Sequence, residues 1–582
     1  MATAPSKVER LASTGFGILR DRKVVQWVIA YAGVAWLLAQ GLGLMADAFE
    51  WPAPVMRVAL VCLICGVPAA AVIAWNHGGA GWRAPPRGEI VLLAAIVLAT
   101  GLASVHFGGA APPEAPPGPV TPPNSVAVLP FVNMTEQADS DYFSDGMTEE
   151  LISTLGRVGG LKVAARSSAF QFKGTNDDVR TVGQKLGVAT VIEGSVRRSA
   201  DRLRISVQLV DAAQGHQIWS ETYDRQLSDV FAVQEDIARS VVAALKITLS
   251  GKADRLVAQH PQSLEAYQAY LRGRYFWNKR DGASLLSAQR HFSAAVELDP
   301  TYALAYAGLA DTYLLLPLHT PMSPKDAFAR ARAAAQRAIA LDGRLAEGHT
   351  SLAYVLFWND WDYAGAERAF RRAIDLNPNY PTAHHWFSEF LITSGEVEEA
   401  MREAAKAEEL DPLSPIIGTD AAANFYFARR FEPAVTRLKR VLELDPDFQV
   451  ARWYLGKSYG QMGRHVQGIA ELEATVRASP DSDWSKAYLG YAYGAAGHRD
   501  KAQAVLNMLM REAGRRYVRS DILALLHLSV GDRDGALTLL ERAVSERAIY
   551  PFIIARDPQF DTLRREPRFK ALLREMRIPG ST

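Results

Sequence analysis

The first 107 residues alternate long apolar segments with short polar loops. Residues 24–45, 58–75 and 90–107 contain no Lys, Arg, Asp or Glu. As helices with a rise of about 1.5 Å per residue, such segments are about 27 to 33 Å long, which matches a hydrocarbon core of about 30 Å. The pattern predicts an α-helical membrane anchor of three transmembrane helices over residues 24–107, behind a tail of residues 1–23.

Basic residues around these segments predict their orientation. Lys and Arg are enriched in the cytoplasmic loops of membrane proteins. Residues 108–124 contain none, whereas the tail and the second loop contain Lys7, Arg10, Arg20, Arg22, Lys23, Arg83 and Arg87. We therefore predict a cytoplasmic amino terminus. Everything after residue 107 is then outside the cytoplasm, which in a bacterium means the periplasmic side of the inner membrane.

A different pattern follows in residues 125–250, after a Pro-rich linker at 108–124 that favours an extended chain. Short apolar runs alternate with segments of helical periodicity. At 203–209 every second residue is apolar, which is typical of a half-buried strand. At 233–249 the apolar residues recur every four positions, which is typical of an amphipathic helix. The predicted order is βαβαβββα, a mixed α/β sheet domain.

From residue 263 onward the chain repeats with a period of 34 residues. A small residue recurs at Ala366, Ala400, Ala434, Gly468, Ala502 and Ala536, and a proline at Pro378, Pro412, Pro446 and Pro480. A helix–turn–helix unit of this length is the tetratricopeptide repeat, in which the small residue permits close helix packing. We predict an all-α tetratricopeptide solenoid of eight repeats at 263–550. A linker at 251–262 precedes it and a capping segment at 551–582 follows it.

Charge balance and cysteine content exclude several classes of protein. The chain has 64 Lys and Arg against 63 Asp and Glu, so it lacks the basic excess of nucleic-acid-binding proteins. Its two cysteines, Cys62 and Cys65, are too few for a disulfide framework and lie in the second apolar segment. We interpret them there as small residues in helix packing, because redox and metal motifs need a more polar setting.

Residues 125–250 resemble a known bacterial module. The stretches AVLPFVNMT, DYFSDGMTEELI, LKVAARSSAFQFKG, LGVATVIEGSVRR and RISVQLVDAAQGHQIWSETYDR look like the TolB-like (FlgO-like) amino-terminal domain, in the same order. The resemblance implies an extracytoplasmic interaction or sensing module that precedes tetratricopeptide repeats and brings no catalytic residues. In that family the module also occurs beside class III adenylate cyclase, winged-helix or protein kinase domains, which we predict to be absent from this chain.

The solenoid predicts a concave groove lined by the first helix of each repeat, the usual peptide-binding face of such arrays. The repeat register places six candidate partner-binding residues there: His385, Glu389, Trp453, Lys457, Trp484 and Tyr491. Large aromatic residues at such positions would anchor a partner. In the alternative interpretation, Trp453 and Tyr491 only fill contacts between neighbouring repeats.

The sequence has no recognisable catalytic motif. Signatures of phosphate-binding loops, nucleophile elbows, zinc proteases and dinucleotide-binding folds are missing. His385 and Glu389 are four positions apart on one predicted helix, a spacing compatible with a metal, but two ligands are too few for a zinc site. We therefore predict no enzyme, no catalytic residues, no metal and no cofactor.

These features predict a protein that binds without making or breaking bonds. The main hypothesis is a membrane-anchored periplasmic scaffold or sensor, whose groove and α/β domain bind protein or peptide partners and no nucleic acid. One alternative is a signal-transduction receptor that controls a partner cyclase, kinase or transcription regulator. The other is an unrecognised periplasmic hydrolase, which would need a deep polar cavity containing a nucleophile and a base.

Overall fold

The chain forms two compact units, Met1–Val120 and Thr121–Thr582. The computed structural model describes residues 24–48, 53–77, 85–108, 122–135, 141–199, 202–245, 261–279, 281–320 and 322–580. The predicted tail at 1–23 and most of the two predicted linkers lie outside these described residues.

In the described residues the first unit consists of three apolar helices. The hydroxyl of Tyr31 in the first helix donates to the carbonyl oxygen of Leu63 in the second at 2.9 Å. The second and third helices are joined by a buried pair, with His77 Nε2 3.0 Å from Glu89 Oε2. These helices are α1 (Val24–Ala48), α2 (Ala53–His77) and α3 (Arg87–Gly108).

The membrane prediction is supported for only one of these helices. By length and apolar composition, Val58–Trp75 is the single segment of the described residues that is suited to crossing a membrane. Within α1, the apolar stretch Gln26–Leu42 is shorter than such a span. A predicted anchor of three spans is therefore not confirmed, and one candidate span is found.

The second unit begins with the predicted mixed sheet, but in the described residues the sheet has six strands, one more than the predicted order contains. The strands are β1 (Ser125–Val128), β2 (Val132–Asn133), β3 (Lys162–Val163), β4 (Thr190–Ser199), β5 (Arg202–Asp211) and β6 (Gln217–Gln226). Their order is β3–β1–β4–β5–β6, with β2 paired to β4. Strand β1 is parallel to β3 and β4, which helical crossovers permit, and β4, β5 and β6 are antiparallel through short turns.

The helices of this domain follow the hydrophobic periodicity of the sequence. The helix Val179–Leu186 shows how local residues set its ends: the Asp178 side chain accepts from the Arg180 amide at 2.8 Å, and Gly187 ends the helix with φ of 61°. Apolar side chains such as Met147 and Val241 are buried against the sheet. The helices are α4 (Asp141–Gly156), α5 (Arg166–Ala169), α6 (Val179–Leu186) and α7 (Val230–Ala244).

The rest of the unit is a long all-helical solenoid of the predicted kind. Between Leu264 and Ser545 the described residues form sixteen helices, which make eight consecutive pairs. They are α8 (Leu264–Trp277), α9 (Gly282–Leu298), α10 (Ala303–His319), α11 (Pro324–Leu341), α12 (Ala346–Val355), α13 (Tyr363–Leu376), α14 (Pro381–Ser394), α15 (Val397–Leu410), α16 (Pro415–Phe427), α17 (Phe431–Leu444), α18 (Gln449–Gln461), α19 (His465–Ala478), α20 (Asp483–Ala495), α21 (Arg499–Ala513), α22 (Ser520–Ser529) and α23 (Arg533–Ser545).

The 34-residue spacing of small residues reflects close contact between the two helices of a pair. A Cβ added to Gly468 in α19 would lie 2.7 Å from the carbonyl oxygen of Gly456 in α18. The irregular third repeat contains an extra residue, which a π-helical turn at Leu356–Asp360 absorbs before Trp361 adopts a left-handed φ of 56°. Helix α10 continues through Pro317 and ends at His319.

A C-terminal segment, residues 550–564, packs back against the middle of the solenoid. It contains α24 (Pro551–Arg556) and a 3₁₀ helix (Pro558–Leu563), and α25 (Pro567–Glu575) follows it. The Arg556 guanidinium donates to the carbonyl oxygens of Ile392 and Thr393 at 3.1 to 3.2 Å. Both carbonyls lie in the last turn of α14, so Arg556 helps to cap a helix that lies 163 to 164 residues earlier.

The α/β domain packs directly on the repeats, which the sequence did not predict. Asn379, in the loop after α13, donates to the carbonyl oxygens of Gly156 and Leu161 at 2.9 and 2.7 Å. Asp411, after α15, accepts a hydrogen bond from the Ser168 hydroxyl at 2.5 Å. These contacts join the domain to two separate inter-repeat loops and fix it against the solenoid.

Candidate functional site

The second unit contains a cavity of about 1570 Å³, which we call the groove cavity. Its wall is formed by the first helices of the repeats, by α4 and α5 of the α/β domain, and by the C-terminal segment. Side chains from α8, α10, α12, α14, α16, α18 and α20 line it. The predicted groove is therefore a deep chamber, bounded by two elements that the repeat pattern alone does not reveal.

Aromatic rings form much of the cavity wall. Tyr354 and Trp386 are stacked with ring centroids 4.2 Å apart. Trp484 is stacked on Tyr488 at 5.4 Å and on Tyr550 of the C-terminal segment at 6.1 Å. Such rings combine a large apolar area with an electron-rich face, so they can hold both apolar groups and cations.

The same wall is strongly acidic. Among the described residues, twelve Asp and Glu line the cavity against five Lys and Arg, although the whole chain is nearly neutral. Several of these carboxylates have basic partners, as Asp483 has Arg516 at 2.6 Å. Others, including the exposed Asp447 and Asp481, have no ion pair within the part of the chain that the structure describes. The cavity therefore carries an excess of negative charge.

Three residues from neighbouring repeats meet at one point of the wall. His385 and Glu389 are on α14, and Asp420 is on α16. His385 Nε2 lies 2.8 Å from Asp420 Oδ2 and 3.3 Å from Glu389 Oε1. The Tyr354 hydroxyl donates to the second oxygen of Glu389 at 2.9 Å. We call His385, Glu389 and Asp420 the His385 cluster.

The His385 cluster has unusual proton affinities. Burial alone disfavours a charged imidazole, but hydrogen bonds to Asp420 and Glu389 outweigh it and raise the pKa of His385 to about 10. Burial also raises the pKa of Glu389. At neutral pH, His385 is therefore an imidazolium ion held between Asp420 and Glu389.

Two predicted groove residues, Trp453 and Trp484, line the cavity together with His385 and Glu389. The Trp453 indole nitrogen donates to the Ser485 hydroxyl at 2.9 Å, and its ring lies 5.8 Å from that of Tyr488. Both tryptophans are half-buried, so each has a face in contact with a neighbouring repeat and a part exposed to the cavity.

The other two predicted residues, Lys457 and Tyr491, contact the C-terminal segment. Lys457 Nζ lies 2.6 Å from Asp557 Oδ2, and both side chains are almost completely buried. The Tyr491 hydroxyl donates to the carbonyl oxygen of Gln559 at 3.3 Å. The repeat register therefore places Lys457 and Tyr491 on the concave side, where they contact the C-terminal segment of the same chain.

The α/β domain contributes two adjacent glutamates with opposite behaviour. Glu149 Oε2 forms an ion pair with Arg166 Nε at 2.9 Å, and Glu149 Oε1 accepts a hydrogen bond from Arg274 of the first repeat. Burial raises the pKa of Glu149, but the two guanidinium groups outweigh it and hold that pKa below its usual value. Within the described ranges Glu150 has no ion pair of this kind, and burial raises the pKa of Glu150 to about 7.

Sequence reasoning missed Asp420, Asp557 and the part of the cavity wall that the α/β domain forms. Asp420 follows His385 by 35 residues, one repeat and one position, so the repeat register could have revealed it. Asp557 lies 100 residues beyond Lys457 and outside the periodic region, and no local signal indicates that contact.

Two family models match parts of the chain. One, described as "HilA/YgeH-like transcriptional regulator, second domain", matches residues 123–240, and the other, a tetratricopeptide repeat, matches residues 361–417. The model on the α/β domain is not a TolB-like one, so that resemblance remains a prediction. The predicted absence of cyclase and regulator modules is not borne out, since this domain matches one from a transcriptional regulator.

A protein of Rhizobium meliloti (strain 1021) named "Putative adenylate cyclase 3" is 40% identical over 250 residues, which are 42% of this chain and 42% of that protein. The match thus spans less than half of the relative's length.

Solved structures of low similarity include Pseudomonas aeruginosa PilF, with 16% identity, TM-score 0.29, and coverage of 36% of this chain and 90% of that one. A tetratricopeptide repeat protein of Thermus thermophilus has 19% identity, TM-score 0.29, and coverage of 33% and 98%. TM-scores this low support no functional argument. The family match at residues 361–417 supports the tetratricopeptide repeat part of the predicted architecture.

Proposed function

We propose that this protein is a membrane-anchored scaffold or sensor whose groove cavity binds a cationic segment of a protein partner. The observation that carries the proposal is the combination of acidic and aromatic side chains around one deep chamber. Tetratricopeptide repeats are binding scaffolds, and a concave helical surface suits an extended or helical peptide.

The charge of the wall specifies the kind of partner. Carboxylates in a concave, partly dehydrated site raise the local concentration of cations and repel acidic segments. The tyrosine and tryptophan faces attract Lys and Arg side chains and also bury their alkyl stems. A segment with both basic and apolar residues therefore fits this chamber better than an acidic one.

We expect full-length protein in detergent micelles to bind fluorescent peptides that combine Lys or Arg with apolar residues. Acidic peptides of the same length and apolar content should bind at least about 10-fold more weakly. Replacing Asp447 and Asp481 together by Asn should weaken the binding of the basic peptides and reduce its salt dependence, both measured by fluorescence anisotropy. Equal binding of both peptide classes would contradict the proposal.

A second variant tests the aromatic wall. We expect Trp453→Ala to weaken peptide binding by about 30-fold, because central aromatic anchors contribute about 2 kcal/mol or more. Phe425→Ala is the matched control, since Phe425 is half-buried on a repeat helix but does not line the cavity. A similar loss of binding in both variants would mean that Trp453 acts through folding.

We place the first unit in a bilayer with all three helices spanning it. Large apolar side chains are exposed on each of them, for example Trp36 on α1, Ile64 on α2 and Val97 on α3, with 63 to 71% of each side chain exposed. Such surfaces are costly in water and favourable in lipid. The distribution of basic residues then directs the second unit to the periplasm.

Reporter fusions test this topology. We expect alkaline phosphatase fused after residue 125 to be active, because three spans behind a cytoplasmic amino terminus export the fusion point. The same reporter fused within the predicted second loop, near residue 82, should be inactive. An inactive fusion at 125, with an active cytoplasmic reporter at the same point, would refute the proposed orientation.

A signal-transduction receptor is the second candidate, because the relative that shares 250 residues is named a putative adenylate cyclase. In this version, occupancy of the groove cavity changes contacts among α1, α2 and α3 and so controls a catalytic partner. We propose binding without catalysis for the chain itself.

A further inference from the structure

We propose that the His385 cluster is a binding site for a divalent transition-metal ion, with Zn²⁺ as the best fit. This goes beyond the proposed binding of a peptide, because it assigns an inorganic ligand to three residues of the cavity wall. His385 and Glu389 alone are too few for a site, and the fold adds Asp420 from the next repeat.

The geometry suits coordination. One ligand atom from each of the three side chains lies within 4.8 Å of the other two, and this is the one such group found in the described residues. In a tetrahedral zinc site with bonds of about 2.0 to 2.1 Å, neighbouring ligand atoms are about 3.3 Å apart. The distances of 2.8 and 3.3 Å from His385 Nε2 to the two carboxylates are close to that value.

The chemistry of the donor set is also appropriate. One imidazole and two carboxylates form a set that Zn²⁺ accepts, and three protein ligands leave a fourth position for water or another ligand. All three residues line the groove cavity. The fourth coordination position of the ion is therefore on the side that faces this cavity. The ion would replace the proton that His385 Nε2 shares with the two carboxylates.

A supporting shell is present around the ligands. The Tyr354 hydroxyl donates to Glu389 Oε2 at 2.9 Å, and the Tyr354 ring is stacked on Trp386 at 4.2 Å. Outer-shell hydrogen bonds of this kind orient ligating carboxylates and strengthen metal binding. The cluster is held on two rigid helices, α14 and α16, which limits the reorganisation that binding requires.

The test uses full-length protein in detergent micelles, freed of metal and carrying no histidine tag. Cys62→Ser and Cys65→Ser are included, because these thiols could bind the same ions. Co²⁺ is titrated first and followed by its visible absorption, and Zn²⁺ is then added in competition. We expect one Co²⁺ per chain and its displacement by one Zn²⁺.

Variants locate the site. Asp420→Asn and His385→Gln should each lower Zn²⁺ affinity by more than about 100-fold, and Tyr354→Phe by about 10-fold, because ligands contribute more than outer-shell groups. His384→Gln is the matched control: His384 is also buried, and its nitrogens contact Glu403 at 2.6 Å and the Pro378 carbonyl at 3.1 Å. It should bind Zn²⁺ like the parent protein.

Three results would overturn the proposal: no stoichiometric Co²⁺ or Zn²⁺ binding, unchanged affinity in folded Asp420→Asn protein, or an equal loss in His384→Gln. Circular dichroism monitors folding in each variant. If His385→Gln does not fold, Asp420→Asn and Tyr354→Phe decide the question, because both keep the shape of the side chain they replace. Peptide binding is measured separately, so that failure of the metal site and failure of the peptide proposal are distinguishable.

Discussion

We expect Lys457→Met to lower the free energy of unfolding by about 3 to 5 kcal/mol, because it leaves Asp557 buried and charged without its partner. Asp557 accepts from Lys457 Nζ at 2.6 Å, from the Tyr426 hydroxyl at 2.8 Å and from the Gln559 amide at 3.0 Å. The Lys457 ammonium also lies 4.7 to 5.0 Å from the ring centroids of three tyrosines. Methionine keeps a long, unbranched apolar side chain, one atom shorter than lysine, and removes the ammonium group.

Two further variants make this prediction specific. Lys406→Met is the matched control, since Lys406 forms a partly exposed pair with Glu409 at 3.0 Å and such pairs contribute about 1 kcal/mol or less. Adding Asp557→Asn to Lys457→Met should restore most of the loss, because it removes the unpaired charge. Urea unfolding and hydrogen exchange at residues 550–564 measure the effect. A cost for Lys457→Met no larger than that for Lys406→Met would show that the C-terminal segment docks without this pair.

The second large effect concerns pH and Glu150. Its pKa is raised from 4.5 to about 7 in the folded protein, chiefly by burial, so the folded state binds a proton more tightly than the unfolded state does. The stabilisation that this proton provides is complete below pH 4.5 and is lost as the pH rises through 7. A difference of one pKa unit corresponds to about 1.4 kcal/mol. The ionised Glu150 side chain therefore lowers the free energy of unfolding by about 3 kcal/mol at pH 8.

We therefore expect Glu150→Gln to stabilise the protein by up to about 3 kcal/mol at pH 8 and to have little effect at pH 4.5. Thermal unfolding between pH 4.5 and 8 tests this. Its neighbour is the control: Glu149→Gln should destabilise the protein at pH 8, because it leaves Arg166 and Arg274 without their carboxylate. If both variants change the stability in the same direction at pH 8, this account is contradicted.

The local architecture could be read from the sequence because it depends on local periodicity. Alternation at 203–209 indicated the strand β5, and the 34-residue spacing indicated the solenoid, since each pattern reflects contacts between near neighbours. The repeat register also identified Trp453 and Lys457 as concave-face residues. For Lys457 it could not identify what the side chain contacts.

Contacts between distant parts of the chain were beyond such patterns. The bond from Ser168 to Asp411 joins residues 243 positions apart, and the repeat pattern around Asp411 does not indicate a partner in the α/β domain. The acidity of the groove cavity is hidden in the same way, because the whole chain is almost neutral and only the fold brings these carboxylates to one wall.

The bond from Arg556 to the end of α14 restricts how the number of repeats can change in evolution. Ordinary solenoids gain or lose whole units because each unit contacts only its neighbours. Here the tail reaches back across 164 residues, so deleting one of the intervening repeats would move Arg556 out of register with its target. The number of repeats between α14 and the C-terminal segment is therefore fixed by this contact.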